Sequence, residues 1–170
     1  MSSHELGKAV VYDWIKKNVA AGASCLDVGA CDGVWGKHLK DHLGTLEAVE
    51  AYAPNIKAHH LGDIYDAVYA ADVRGLEYKD FDLVIFGDVL EHMSTEEAQA
   101  VLQYAEDHAK TIVVALPYRY RQGAIYGNPY EVHVQDDLTR ENVKERYPEL
   151  VELLTFNDYG YYYWRADNDN

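Results

Sequence analysis

The stretch Cys25-Leu26-Asp27-Val28-Gly29-Ala30-Cys31-Asp32-Gly33-Val34-Trp35-Gly36 restricts the folds open to this chain more than any other. Cys25, Leu26 and Val28 are apolar and suit a central strand buried on both faces. Gly29 and Gly33 permit a tight turn and a close approach of backbone to a ligand. A helix is predicted from Val34 to about Leu43, with Leu39 and Leu43 on one face. A strand, glycine turn and helix in this order place a ligand at the carboxyl end of a parallel strand. The glycines fall as G-x-x-x-G-x-x-G, which departs from the dinucleotide fingerprint G-x-G-x-x-G.

The rest of the chain alternates strands and helices. Residues 4–20 space Leu6, Val10, Tyr12, Trp14, Ile15 and Val19 as a helix, ended by Ala21-Gly22-Ala23. Residues 45–52 read as a second strand that carries Glu50 near its end, 21 residues beyond Gly29. A carboxylate there accepts two hydrogen bonds from vicinal ribose hydroxyls. A short helix from Asn55 to about His60 follows, with Pro54 near its start. Residues 67–73 read as the third strand, with Asp72 at its end. Phe81 to Gly87 is an apolar run between turn residues and the clearest strand. Ser94-Thr95-Glu96-Glu97 signals the start of a helix that runs to about His108. Lys110 to Leu116 is the fifth strand, closed by Pro117. Residues 118–137 have no periodicity, and a loop of that length in a compact domain is usually functional or disordered. Its place after the fifth strand makes it the expected acceptor-binding segment. Thr139 to Tyr147 reads as a helix. Residues 149–156 and 159–165 read as an antiparallel hairpin with Tyr161, Tyr163 and Arg165 on one face and Tyr162 and Trp164 on the other. The order of elements predicts an α/β doubly wound sheet, mostly parallel, in one domain over 1–170.

A net charge of −14 disfavours duplex nucleic acid, although Arg119, Arg121, Arg140, Lys144 and Arg146 offer a small basic patch. No run of 18 or more apolar residues marks a membrane span. The start of the chain lacks the pattern of a secretory signal. Cys25 and Cys31, the only cysteines, are poorly placed for a bridge, which fits a reducing, cytoplasmic setting.

Asp27, Gly29 and Gly33 fill the acid and the first and last glycines of D/E-x-G-x-G-x-G, with Cys31 in place of the middle glycine. The string Asp82 to Met93, D-L-V-I-F-G-D-V-L-E-H-M, follows at the fourth strand. Together these resemble motifs I and IV of the class I S-adenosylmethionine-dependent methyltransferases, over roughly residues 24–117. The resemblance implies a Rossmann-like, seven-stranded sheet whose C-terminal hairpin adds the antiparallel strand. Residues 1–22 would be an N-terminal helix, either a lid or a helix packed on the sheet edge. Residues 24–117 would be the cofactor-binding half, and 118–170 the acceptor loop and hairpin. It further implies that Asp27 orients the amino group of S-adenosyl-L-methionine, directly or through water, that Glu50 holds the ribose, and that Asp72 and Tyr52 meet the adenine. Ala30, Ala51, Val73, Gly87 and Asp88 would complete that wall.

Asp88, Glu91 and His92 stand at i, i+3 and i+4, one face of a helical turn if one begins there. His133 lies in the acceptor loop with Glu131 two residues before it. Two carboxylates and one or two imidazoles can hold a divalent cation such as Mg²⁺. The pattern is similar to the acid-x-x-Glu-His plus later His of small-RNA terminal 2′-O-methyltransferases, and to the L-E-H region of ubiquinone-pathway O-methyltransferases. There a metal orients a diol and lowers a hydroxyl's pKa. Without metal, His133 or Asp88 would serve as general base, and Glu91 and His92 would only stabilise the turn. Asn128-Pro129-Tyr130 reads as a plain turn. Tyr118, Tyr126 and Tyr130 suit either pocket walls or ordinary packing.

The reading is thus an S-adenosylmethionine-dependent methyltransferase acting on a small-molecule acceptor at oxygen or nitrogen. The alternatives are a non-catalytic cofactor-binding protein of the same fold and a methyltransferase acting on protein or RNA. An oxidoreductase with a Tyr-x-x-x-Lys pair is disfavoured, because the only such pair, Tyr12 and Lys16, precedes the glycine turn.

Overall fold

A computed structural model describes residues 5–166. The predicted helix start at His4 and the polar tail Asp167-Asn168-Asp169-Asn170 lie outside the described residues. Helix α1 spans Glu5–Asn18, β1 Ser24–Val28, α2 Val34–Leu39, β2 Thr45–Glu50 and α3 Ala53–Ala58. Then come β3 Ala67–Ala70, β4 Phe81–Gly87, α4 Thr95–His108 and β5 Ala109–Pro117. Helix α5 spans Arg140–Arg146, and β6 Val151–Thr155 and β7 Tyr159–Arg165 complete the chain.

The seven strands form one sheet in the order β3-β2-β1-β4-β5-β7-β6. β1 pairs in parallel with both β2 and β4, so it lies at the point where the strand order reverses. β7 inserts antiparallel between β5 and β6, with Ala115 opposite Tyr161 and Pro117 opposite Tyr159. This is the predicted α/β architecture, including the antiparallel hairpin.

Alternation along each strand sends side chains to two separate cores. Leu26, Val28, Val84, Phe86, Ile112, Val114 and Tyr162 pack with Val101 and Leu102 of α4 and Val143 of α5. Cys25, Leu83, Ile85, Val113, Ala115 and Tyr161 pack with Val11 and Ile15 of α1 and Trp35 and Leu39 of α2. Helices on both faces leave only the two ends of the parallel strands for function.

Several boundaries differ from the sequence expectation. The buried stripe of α1 uses Gly7, Lys8, Val11, Tyr12, Ile15 and Val19, while Val10 is half exposed. Helix α2 stops at Leu39, because the residues after it turn back and Gly44 N donates to Ala23 O at 2.9 Å. β3 ends at Ala70 rather than Val73, since the edge strand has a neighbour on one side only and Asp72 turns the chain. Helix α4 starts as predicted, with Ser94 and Glu97 forming a reciprocal capping box. Among the described residues no helix is long and apolar enough to cross a membrane.

Candidate functional site

A cavity of about 640 Å³ opens at the carboxyl ends of β1, β2 and β4. That volume suits a cofactor-sized ligand. Gly29, Ala30, Glu50, Ala51, Asp72, Val73, Gly87 and Asp88 line it, as do Glu91, His92 and His133.

The β1–α2 turn forms the floor of the cavity. Gly29 has φ 71, and a Cβ there would sit 2.6 Å from the Val89 side chain. Its N–H donates to Val49 O at 2.8 Å, tying the turn to β2. Cys31, at the position of the middle glycine, adopts φ 47. A non-glycine residue in that left-handed region is disfavoured, which explains the glycine preference of the motif. The Cys31 N–H donates to Glu50 Oε2 at 2.8 Å, and the Tyr52 N–H donates to Glu50 Oε1 at 2.8 Å. Glu50 is thereby aimed before any ligand arrives. Burial raises its pKa, and the two backbone donors oppose that rise.

Not every residue of the sequence expectation reaches the wall. Asp27 is fully buried beneath the turn, where its Oδ2 accepts from the Tyr65 hydroxyl and its Oδ1 has no partner among the described residues. Burial pushes its carboxyl up to about 7. Gly33 supplies φ 73 at the start of α2, and a Cβ there would meet Ile64 at 2.6 Å. Tyr52 precedes α3 and is also off the wall. Asp72 does line the cavity, but Arg74 clamps it through Nε, at 3.1 Å to both oxygens, and through a terminal nitrogen at 2.6 Å to Oδ2. The guanidinium holds the Asp72 carboxyl below the usual carboxylate range.

The opposite wall is built by the turn after β4 and the loop after β5. Asp88 has φ 57, and its side chain accepts from the Tyr159 hydroxyl at the start of β7. The predicted common face of Asp88, Glu91 and His92 therefore does not form. The left-handed step at Asp88 turns it toward β7, and Leu90–His92 makes a separate 3₁₀ turn. Ligand atoms of Glu91, His92 and His133 instead lie within 4.8 Å of one another, without Asp88.

The irregular loop is joined to that turn by main-chain bonds. Val134 N donates to Glu91 O at 2.9 Å, and Gln135 N to the same oxygen at 3.0 Å. The buried Gln135 amide also donates to Leu90 O at 2.9 Å. Each imidazole is oriented by a carbonyl. His92 Nδ1–H donates to Val132 O at 3.1 Å, and His133 Nδ1–H to Tyr120 O at 2.7 Å. Their Nε2 lone pairs are left for a ligand. Burial lowers both histidine pKa values, favouring neutral rings. Glu91 is fully buried, among the described residues neither carboxylate oxygen has a hydrogen-bond partner, and burial together with Asp88 raises its pKa. His92 Nε2 stands 3.9 Å from Glu91 Oε1. Burial favours the neutral form of both groups, so this approach is not an ion pair.

Lys8, Trp35, Asn55 and Tyr159 also line the cavity and were not anticipated. Lys8 had a readable signal, because it falls three and four residues before Val11 and Tyr12 on the buried stripe of α1. Tyr159 had none, because its approach depends on the antiparallel insertion of β7.

Neither a scan against protein-family models nor a search of curated proteins finds a match. Solved structures do match over nearly the whole chain. One is an S-adenosylmethionine-dependent methyltransferase from Clostridium acetobutylicum ATCC 824, with TM-score 0.74 and 9% identity, covering 98% of this chain and 93% of that one. A second is the N-terminal domain of EvdMO1 with SAH bound, with TM-score 0.70, 16% identity and coverages of 98% and 83%. A third is the N-methyltransferase NodS from Bradyrhizobium japonicum WM9, with TM-score 0.66, 12% identity and 96% of both chains. The chain has the fold of the class I S-adenosylmethionine-dependent methyltransferases.

Proposed function

We propose that this chain is a single-domain S-adenosylmethionine-dependent methyltransferase acting on a small-molecule acceptor at oxygen or nitrogen. One observation carries the reading: a single cavity joins a cofactor-type floor to a polar reaction wall. The turn at Gly29 and the pre-aimed Glu50 form the floor, and Glu91, His92 and His133 form the wall. The methyltransferases of the same fold, one of them named as an N-methyltransferase and one for magnesium protoporphyrin IX, support it. The two free thiols, Cys25 and Cys31, are in keeping with a reducing, cytoplasmic location.

S-adenosylmethionine, when bound, supplies an electrophilic methyl group. The chain's own task is then mainly to hold the acceptor in line, which is worth roughly 7–11 kcal/mol of barrier. Glu50 accepts from the ribose hydroxyls with the lone pairs that Cys31 and Tyr52 leave open. Asp72, held by Arg74, faces the adenine amino group. Tyr118, Tyr120 and Tyr130 line the cavity from the acceptor loop and supply an apolar, aromatic wall for the acceptor.

Glu91, His92 and His133 fit a divalent cation. A buried, unpartnered carboxylate beside two Nε2 atoms, each ring held by a carbonyl, is the donor set of a metal centre. The cation, when bound, would act as a Lewis acid toward an acceptor oxygen. Without a cation, the neutral His133 offers its Nε2 as the base that takes the acceptor's proton.

Calorimetric titration with S-adenosylhomocysteine tests the cofactor reading. Micromolar binding to the wild type, weakened in Asp72→Ala and Glu50→Ala, is expected. No binding to folded wild type overturns it. Titration with Co²⁺ tests the metal site. Visible absorption bands of a bound ion are expected in the wild type and not in Glu91→Gln, and equal spectra overturn the assignment.

A further inference from the structure

Lys8 is 5% exposed, on the stripe of α1 that also buries Val11, Tyr12 and Ile15. It lines the cavity together with Gly29 and Ala30. Among the described residues its ammonium has no hydrogen-bond or ion-pair partner. A lysine so deeply buried is ordinarily paired, because removing an ammonium from water is costly. Its charge is felt by Asp27, whose carboxyl it lowers against burial, yet no ion pair joins the two, and Asp27 Oδ1 lacks a partner. An unpaired cation and an unpaired acceptor thus stand at the carboxyl end of β1.

We propose that Lys8 binds the carboxylate at the amino-acid end of the cofactor. The proposal rests on the cofactor reading above and adds a recognition residue to it. A single cation beside Asp27, Asp32 and Glu50 suits a zwitterion, whose carboxylate and ammonium are net neutral. The same surroundings repel a polyanion such as the pyrophosphate of a dinucleotide, for which one lysine among three acids is inadequate compensation. The carboxylate completes the unpaired ammonium, and a charge-assisted hydrogen bond in this sheltered site is a strong one.

The test is calorimetric binding of two probes to wild type, Lys8→Met and Lys8→Arg. S-adenosylhomocysteine carries the amino-acid end, and 5′-methylthioadenosine lacks it. Lys8→Met is expected to weaken S-adenosylhomocysteine binding about 10–100-fold. It should leave 5′-methylthioadenosine binding within about 2-fold, and Lys8→Arg should restore most of the loss. Retained 5′-methylthioadenosine binding also shows that the variant is folded. Equal weakening of both probes, or of neither, overturns the role of Lys8 and leaves the cofactor reading standing. Failure of both probes to bind wild type overturns the cofactor reading, and this proposal with it.

Discussion

The Tyr159 hydroxyl donates to the Asp88 carboxylate, joining residues 71 positions apart in the chain. One is the first residue of the antiparallel strand β7, the other the first residue after the parallel strand β4. The ends of β4 and β7 are thereby clamped across the intervening β5 at the rim of the cavity. Asp88 holds this contact from a left-handed backbone position, φ 57, and its charge still bears on the buried Glu91.

Replacing Asp88 separates these two contributions. Asn keeps an oxygen for the Tyr159 hydroxyl and tolerates a positive φ, so Asp88→Asn should unfold close to wild type. Ala loses both the acceptor and the tolerance, and Asp88→Ala should lose about 1–3 kcal/mol in chemical denaturation. Equal stability of the two variants would show that the contact contributes little.

Asp27 predicts a pH dependence of stability. Its carboxyl rises from 3.8 to about 7 on folding, first through burial, with Asp32 and Glu50 adding to the rise and Tyr65 and Lys8 opposing it. The folded state therefore holds this proton more tightly than the unfolded chain does. The contribution is full below about pH 4 and is lost as pH rises through about 7. In Asp27→Asn that loss should be absent. The variant should gain on wild type by up to about 4 kcal/mol between pH 4 and pH 8, read from denaturation midpoints at several pH values. A constant difference across the range contradicts the assignment.

Glu91 should show opposed effects on stability and on metal binding. A buried carboxylate without a hydrogen bond is costly, so Glu91→Gln in metal-free protein should raise stability by about 1–3 kcal/mol. On the proposed metal reading, the same change should lower methyl transfer, because Glu91 is one of the three proposed ligands. Thermal unfolding in the presence of a chelator, compared with activity in added Mn²⁺, checks both halves.

Gly87 at the end of β4 lies against the Trp35 indole, and a Cβ there would overlap it. Gly87→Ala should therefore cost about 1–3 kcal/mol through overpacking. It should also shift the tryptophan fluorescence as Trp35 is displaced from the cavity floor. Unchanged unfolding with unchanged emission would mean that the indole has room to move.

The legible part of the site is the part carried by short segments. Gly29, Glu50, Asp72 and Gly87 each end a strand or begin the turn after it, and the parallel order brings all four ends to one edge. The convergence of Glu91 with His133 depended on bonds that no local pattern announces. Val134 and Gln135 donate to Glu91 O, and Gln135 reaches Leu90 O, so an aperiodic loop is fastened to the turn after β4.

From sequence alone, apolar runs and glycine punctuation determined the alternation of strands and helices along the chain, the doubly wound class and the end of the strands that carries the site, while the order of the strands across the sheet came only with the structure. Those features are local, and strands buried on both faces can be arranged in few ways. Which side chains face the cavity was decided only by tertiary structure. Asp27 is drawn beneath the floor by Tyr65, Asp88 is drawn to β7 by Tyr159, and Lys8 is carried to the wall by α1. Each of these placements is set by a partner distant in the chain or by how a helix rotates against the sheet. A residue's type states what it can bind, while packing decides which way it points.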